Sequence, residues 1–148
     1  MERLTVSMRI LIVEDDRYSR EGLRDFLRGD GWTVQIYGDA WQAVLLARTC
    51  TIDIAIVDLV LPVMHGIPMT GWDLIRILRV YAPALPVVVV TAQERNSTLC
   101  EQAAALRVTE VLGKPIDPRY LKEVVRSLGA SDRSPRTATQ AELAKGVA

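Results

Sequence analysis

Residues 86–91 read Pro86-Val87-Val88-Val89-Val90-Thr91, four consecutive β-branched residues closed by a threonine. A run with no polar face must be covered on both sides if it is a strand. That is the setting of a central strand in a parallel sheet with helices above and below. Working back towards the N-terminus, Ile52–Val57 predicts a third strand running into Asp58, and Thr33–Tyr37 a second. Arg9–Val13 predicts a first strand, running at once into Glu14-Asp15-Asp16. In the other direction Glu110–Leu112 is a short fifth strand before Gly113-Lys114-Pro115.

Helical patterns fill the intervals. In Arg17–Arg28 the residues Tyr18, Gly22, Leu23, Phe26 and Leu27 share a face, and Gly29-Asp30-Gly31 stops the helix. Asp39 is a candidate N-cap for a second helix lined by Trp41, Val44 and Leu45. Trp72–Tyr81 turns Leu74, Ile75 and Leu78 inward, and Ser97–Leu106 forms a fourth helix. Asp117 caps a fifth, with Pro118 at its first position and Leu121, Val124, Val125 and Leu128 repeating at helical spacing. Strand–helix alternation of this kind predicts an α/β fold, an open, doubly wound parallel sheet of five strands with five helices on its two faces.

The 148 residues allow one domain at roughly 100–200 residues each. Hydrophobic residues make up 49%, which supplies a real core and argues against disorder. Lys plus Arg number 18 and Asp plus Glu number 18, so the net charge of zero disfavours a globally basic nucleic-acid binder. Cys50 and Cys100 make no disulfide framework and have no metal-spaced neighbours, and are expected buried or half-buried. Trp32, Trp41 and Trp72 start elements and are expected to cover core edges. Residues 1–7 carry no basic-then-apolar leader, and the longest apolar run, Leu85–Val90, is far short of the ~20 residues that span a bilayer. A cytoplasmic protein with no membrane contact is expected. The domain is expected over residues 9–129, after an N-terminal extension of residues 1–8. Residues 130–148, rich in Ser, Thr, Arg, Pro and Ala, are expected to be a flexible tail.

Ligands of such sheets sit beyond the carboxyl ends of the strands. Those ends carry Asp15 and Asp16, Asp58, Thr91 and, just past the fifth strand, Lys114. Clustered carboxylates raise one another's pKa unless a cation relieves them. A hard divalent ion such as Mg²⁺ suits such oxygens, and Lys114 and Thr91 would then be donors to an anion beside it.

The set Ile12-Val13-Glu14-Asp15-Asp16, Asp58-Leu59-Val60-Leu61-Pro62, Thr91-Ala92 and Lys114-Pro115 resembles the receiver domain of two-component response regulators. The resemblance runs from Arg9 to about Gly129. It implies a flavodoxin-like sheet in the order 2-1-3-4-5, and Asp58 as acceptor of a phosphoryl group from a sensor histidine kinase or a histidine phosphotransfer protein. It implies Mg²⁺ held directly by Asp16, Asp58 and the Val60 backbone carbonyl, with Asp15 bound through water. Thr91 and Lys114 would bind phosphoryl oxygens, and Lys114–Pro115 would be a cis peptide. Output would go to a downstream protein target, with no direct nucleic-acid contact. A homodimer through the fourth helix, fifth strand and fifth helix is open.

Three places depart from the family pattern. The aromatic switch residue three before the lysine is Val111, too short to swing between two environments. Either coupling is altered or rests on Thr91 and the loop after it, or Val111 merely fills the fifth strand. Second, Pro62-Val63-Met64-His65-Gly66 fits the family's Pro-x-Met-x-Gly, and Ile67-Pro68-Met69-Thr70-Gly71 follows as a near-duplicate insertion. The segment is a partner contact, a shield over the phosphoryl group or a tolerated surface insertion, with His65 exposed in it. Third, Val60 and Gln93 occupy positions that tune water access, and an apolar Val60 predicts slow to moderate dephosphorylation. These features give a single-domain phosphorylation switch or phosphate shuttle. The rivals are a pseudo-receiver acting without phosphorylation, an aspartyl phosphohydrolase, disfavoured by Val60, and a flavodoxin-like cofactor binder, disfavoured by the lack of a phosphate loop after the first strand.

Overall fold

The computed structural model describes residues 7–131. Five strands, β1 (Arg9–Val13), β2 (Thr33–Tyr37), β3 (Ile54–Asp58), β4 (Val87–Thr91) and β5 (Glu110–Gly113), alternate with five helices, α1 (Arg17–Arg28), α2 (Ala40–Thr49), α3 (Gly71–Tyr81), α4 (Ser97–Ala105) and α5 (Pro118–Ser131). All pairings are parallel and the order is β2-β1-β3-β4-β5, as expected.

Every residue of β3 and β4 is buried, which is why both read as unbroken apolar runs. Successive side chains take opposite faces. Leu11, Val13, Ala55, Val57, Val87 and Val89 pack with α2, α3 and α4, through Ala43, Leu46, Leu74, Ile75, Leu78 and Leu99. Ile10, Ile12, Ile54, Ile56, Val88 and Val90 pack with α1 and α5, through Leu23, Leu27, Leu121 and Val125. Each buried valine, leucine or isoleucine of this set stabilises the fold by roughly 1.5–3 kcal/mol.

The helix faces needed correction. On α1 only Leu23 and Leu27 are buried, and Tyr18 is 86% exposed. On α2 the buried residues are Ala40, Ala43 and Leu46, and Leu45 is 58% exposed. The Asp39 cap, accepting from the Gln42 N–H at 3.1 Å, fixes the phase of that helix. Small alanines then face the sheet. Helix α3 begins at Gly71, one residue early, because Thr70 and Asp73 close a reciprocal capping box. Cys100 is exposed, against expectation, while Cys50 is half-buried. Trp72 is buried in the core and Trp32 packs half-buried against it, as expected of core-edge covers, while Trp41 is half-buried. Ala130 and Ser131 complete α5, and the rest of the expected tail lies outside the described residues. Among the described residues no helix is long and apolar enough to cross a membrane.

Candidate functional site

The carboxyl ends of β1 and β3 and the β5–α5 loop meet at one point. Glu14 leaves β1 buried at 1% exposure, its amide held by the Tyr37 carbonyl at 3.0 Å. Asp58 ends β3 at 3% exposure, and its Oδ1 accepts from the Val60 N–H at 3.0 Å. Lys114 follows β5, where its own N–H donates to the Thr91 carbonyl at 2.8 Å and its peptide bond to Pro115 is cis. Its ammonium lies 2.6 Å from Asp58 Oδ2 and 2.9 Å from Glu14 Oε2. Thr91 is buried, and its Oγ1 accepts from the Gln93 N–H at 3.0 Å.

Carboxylate oxygens of Glu14, Asp15 and Asp58 lie within 4.8 Å of one another, two of the residues buried and Asp15 exposed. The cluster differs from the expected ligand set, with Glu14 and not Asp16 joining Asp15 and Asp58. The Asp16 carboxylate turns away to cap α1, accepting from the Ser19 N–H at 3.0 Å and the Ser19 hydroxyl at 2.6 Å. Those two bonds hold its pKa below the usual carboxylate range. The sequence signal was available, since Asp16 stands immediately before the first helical residue, as Asp39 does.

The three carboxylates and one ammonium suit a hard divalent cation. One lysine leaves such a set with net negative charge, all donors are oxygens, and Asp15 opens the cluster to water. Burial raises the Glu14 pKa to about 7, with the neighbouring Asp58 adding to the effect and Lys114 opposing it. Burial also works against the Lys114 ammonium, but its bonds to Asp58 and Glu14 outweigh this and raise its pKa.

A pH prediction follows with a definite sign. Glu14 titrates near 4.5 when unfolded and near 7 when folded, so the folded protein holds an extra proton between these values. Metal-free stability should therefore fall as pH rises from 4.5 to 7 and then level off. Asp16, Asp30 and Asp73, whose pKa values are depressed, act in the opposite sense only at more acid pH. Urea unfolding across this window should show the fall in the wild type and its absence in Glu14→Gln. Parallel curves for the two proteins would mean that Glu14 is already ionised at the low end.

A tight hairpin at Met64–Ile67 comes just before the expected insertion of residues 67–71 and shares only Ile67 with it. Met64 and Ile67 exchange backbone hydrogen bonds at 3.3 and 3.0 Å, with His65 (φ 55°) and Gly66 (φ 72°) at the turn. Two consecutive positive φ values make the turn of the kind that suits two-residue hairpins. Met69 and Leu61 pack against the core, Val60, Val63, Ile67 and His65 are exposed, and Pro68 lies on the outer side. Thr70 caps α3, and Gly71 presses its Cα against the backbone of Asp58, where a Cβ would stand 2.2 Å from the Asp58 carbonyl oxygen. Val111, on β5, is half-buried against the α2–α3–α4 side of the core. Sequence reasoning missed two participants, Glu14 and Arg20. The Arg20 guanidinium donates to the carbonyls of Asp15 at 2.8 Å and Glu14 at 3.3 Å.

The chain is similar to known proteins in both sequence and fold. The response regulator receiver domain profile matches residues 10–126. The DNA-binding response regulator MtrA of Mycobacterium tuberculosis is 38% identical over 125 residues, covering 83% of this chain and 51% of MtrA. Response regulator MprA of Mycobacterium ulcerans is 32% identical over 125 residues, covering 83% of this chain and 50% of MprA. The chain thus spans about half the length of these curated relatives. Among solved structures, a CheY-like receiver domain protein from Methanospirillum hungatei superposes with a TM-score of 0.75 at 22% identity, covering 86% of this chain and 98% of that one. The signal receiver domain of an HD domain-containing protein from Pseudomonas fluorescens gives 0.77 at 22% identity, covering 87% and 99%.

Proposed function

The chain belongs to the response regulator receiver domain family, and from that premise we propose that Asp58 accepts a phosphoryl group from a phosphohistidine. The donor would be a sensor histidine kinase or a histidine phosphotransfer protein. One observation carries the reading: a nearly buried carboxylate at the end of a central strand, held between a lysine ammonium at 2.6 Å and two further acids. An Asp58 oxygen attacks phosphorus, the phosphorus–nitrogen bond breaks, and the imidazole leaves with its electron pair. The product is a mixed anhydride on Asp58, which water later hydrolyses. Lys114 would turn from the carboxylate to a phosphoryl oxygen, and the Thr91 hydroxyl, still accepting from the Gln93 N–H, would donate its own proton to another. Glu14, Asp15 and Asp58 are the residues that would hold Mg²⁺, with the Val60 carbonyl alongside. When bound it would offset negative charge on the transferring group.

In the single-domain reading the output is a changed affinity for a protein target, or onward transfer of phosphate. DNA binding stands in the name of MtrA, of which this chain matches 51%. The zero net charge here favours a protein partner. With valine at 111, Thr91 and the loop after it carry the coupling to α4, β5 and α5, the face open to homodimerisation. The 64–67 hairpin follows Asp58 in the chain and, in this reading, contacts the donor protein.

Incubation with Mg²⁺ and a small acyl phosphate, followed by intact-mass measurement, tests the central claim. One added phosphoryl group, mapped to Asp58, is expected. An unmodified mass would favour a pseudo-receiver.

A further inference from the structure

Arg20 breaks an electrostatic preference. It places a cation near the start of α1, at the positive end of the helix dipole. Its side chain folds back over the first turn, and Nη1 bonds the Asp15 carbonyl at 2.8 Å and the Glu14 carbonyl at 3.3 Å. These are the carbonyls of the two residues whose carboxylates converge on Asp58. On its other side lies Gly38, at the end of β2. A Cβ there would stand 3.1 Å from Arg20 Nη1 and 3.4 Å from its Cζ, tighter than ordinary contact. The β2 end is tied to the same corner by the Glu14 N–H bond to Tyr37.

We propose that Arg20 is a positioning residue for the acidic pocket, clamping the backbone of Glu14 and Asp15 so that their carboxylates face Asp58, and that Gly38 is the residue that gives its guanidinium room. The inference rests on the reading of the pocket as a Mg²⁺ and phosphoryl site, and adds a function for two residues that touch neither. The guanidinium charge also repels a divalent cation. Clamping and repulsion therefore predict opposite signs for loss of the side chain.

Amide NMR on the intact chain separates them. In metal-free protein, Arg20→Ala should speed hydrogen exchange at Asp15 and Asp16 and leave the core of the sheet unchanged. Mg²⁺ titration, followed through the amide shifts of Asp15 and Val60, should show affinity weakened roughly tenfold, the scale typical of residues that orient metal ligands. Arg20→Lys keeps the charge but not the planar guanidinium whose Nη1 makes both bonds, and should also bind several-fold more weakly. Gly38→Ala should weaken binding in the wild-type background and add nothing in Arg20→Ala, because both act on one contact. Tighter binding in Arg20→Ala with Arg20→Lys unchanged would overturn the proposal in favour of charge repulsion. Fully additive effects of the two sites would overturn the part assigned to Gly38. A wild type that shows the Arg20-dependent exchange pattern but takes no Mg²⁺ would overturn the Mg²⁺ reading and keep the clamp.

Discussion

Asp58→Asn is expected to take up no phosphoryl group from an acyl-phosphate donor and, at the same time, to melt higher than the wild type. The first half follows from chemistry. A carboxamide oxygen is a poor nucleophile, and among the described residues no other carboxylate combines this burial with a lysine at 2.6 Å. The second half follows from the crowding of Glu14, Asp15 and Asp58 oxygens within 4.8 Å of one another, with Lys114 the cation that contacts both buried acids. Asparagine keeps the Oδ1 that accepts from the Val60 N–H at 3.0 Å and removes one negative charge. It also loses the ion pair with Lys114, but that ammonium retains Glu14 at 2.9 Å. Lys114 is partly solvated, so the lost attraction is discounted, while above about pH 7, where Glu14 is ionised, the repulsion between the two buried acids is not. A gain of about 1 kcal/mol, or roughly 3–6 °C in Tm, is the expected balance in metal-free buffer. Adding Mg²⁺ should narrow the difference by stabilising the wild type more. A metal-free Asp58→Asn that melts lower would show the Asp58–Lys114 pair to be the stronger term.

Much of this arrangement was legible in the residues. Val87–Val90 declared a strand buried on both faces, and from it the parallel sheet and its ligand edge followed. Asp58, Thr91 and Lys114 lay at strand ends, where topology alone brings them together. The acidic stretch Glu14-Asp15-Asp16 was harder, because three consecutive acids at a strand-to-helix junction can be divided between pocket and cap in two ways. The register resolves it: Glu14 still follows the strand inward, while Asp16 has already become the helix cap. Arg20 was invisible for a different reason. Its bonds are to backbone carbonyls, which carry no sequence signature. The faces of α1 and α2 shifted because aromatic and branched residues draw attention in a pattern, whereas on α2 the sheet is approached by Ala40 and Ala43.

The near-duplicate glycines of the segment after Asp58 were indistinguishable in sequence and should behave very differently when changed to alanine. Gly66 has φ +72° and nothing within 4 Å of a Cβ. Gly66→Ala therefore meets only the intrinsic penalty of a left-handed backbone, about 1 kcal/mol, with phosphoryl uptake unchanged. Gly71 lies under no such backbone constraint, but a Cβ there would stand 2.2 Å from the Asp58 carbonyl oxygen, 2.7 Å from Leu59 Cα and 2.9 Å from the Asp58 carbonyl carbon. All three are backbone atoms of a fully buried strand and its continuation, so no flexible side chain can yield. The Gly71 N–H also donates to the Leu59 carbonyl at 2.9 Å, which prevents α3 from simply lifting away. Gly71→Ala should cost about 3 kcal/mol, at the upper end for overpacking, and lower Tm by roughly 10 °C. Whatever fraction stays folded must relieve the clash by moving Asp58 or the start of α3. Displacing the acceptor by about 1 Å from Lys114 should slow phosphoryl uptake roughly 100-fold. Urea unfolding and intact-mass time courses on the two alanine variants measure both effects. Equal losses in the two would mean that the close contact at Gly71 relaxes without disturbing Asp58, and that the hairpin, not the helix start, sets the position of the acceptor.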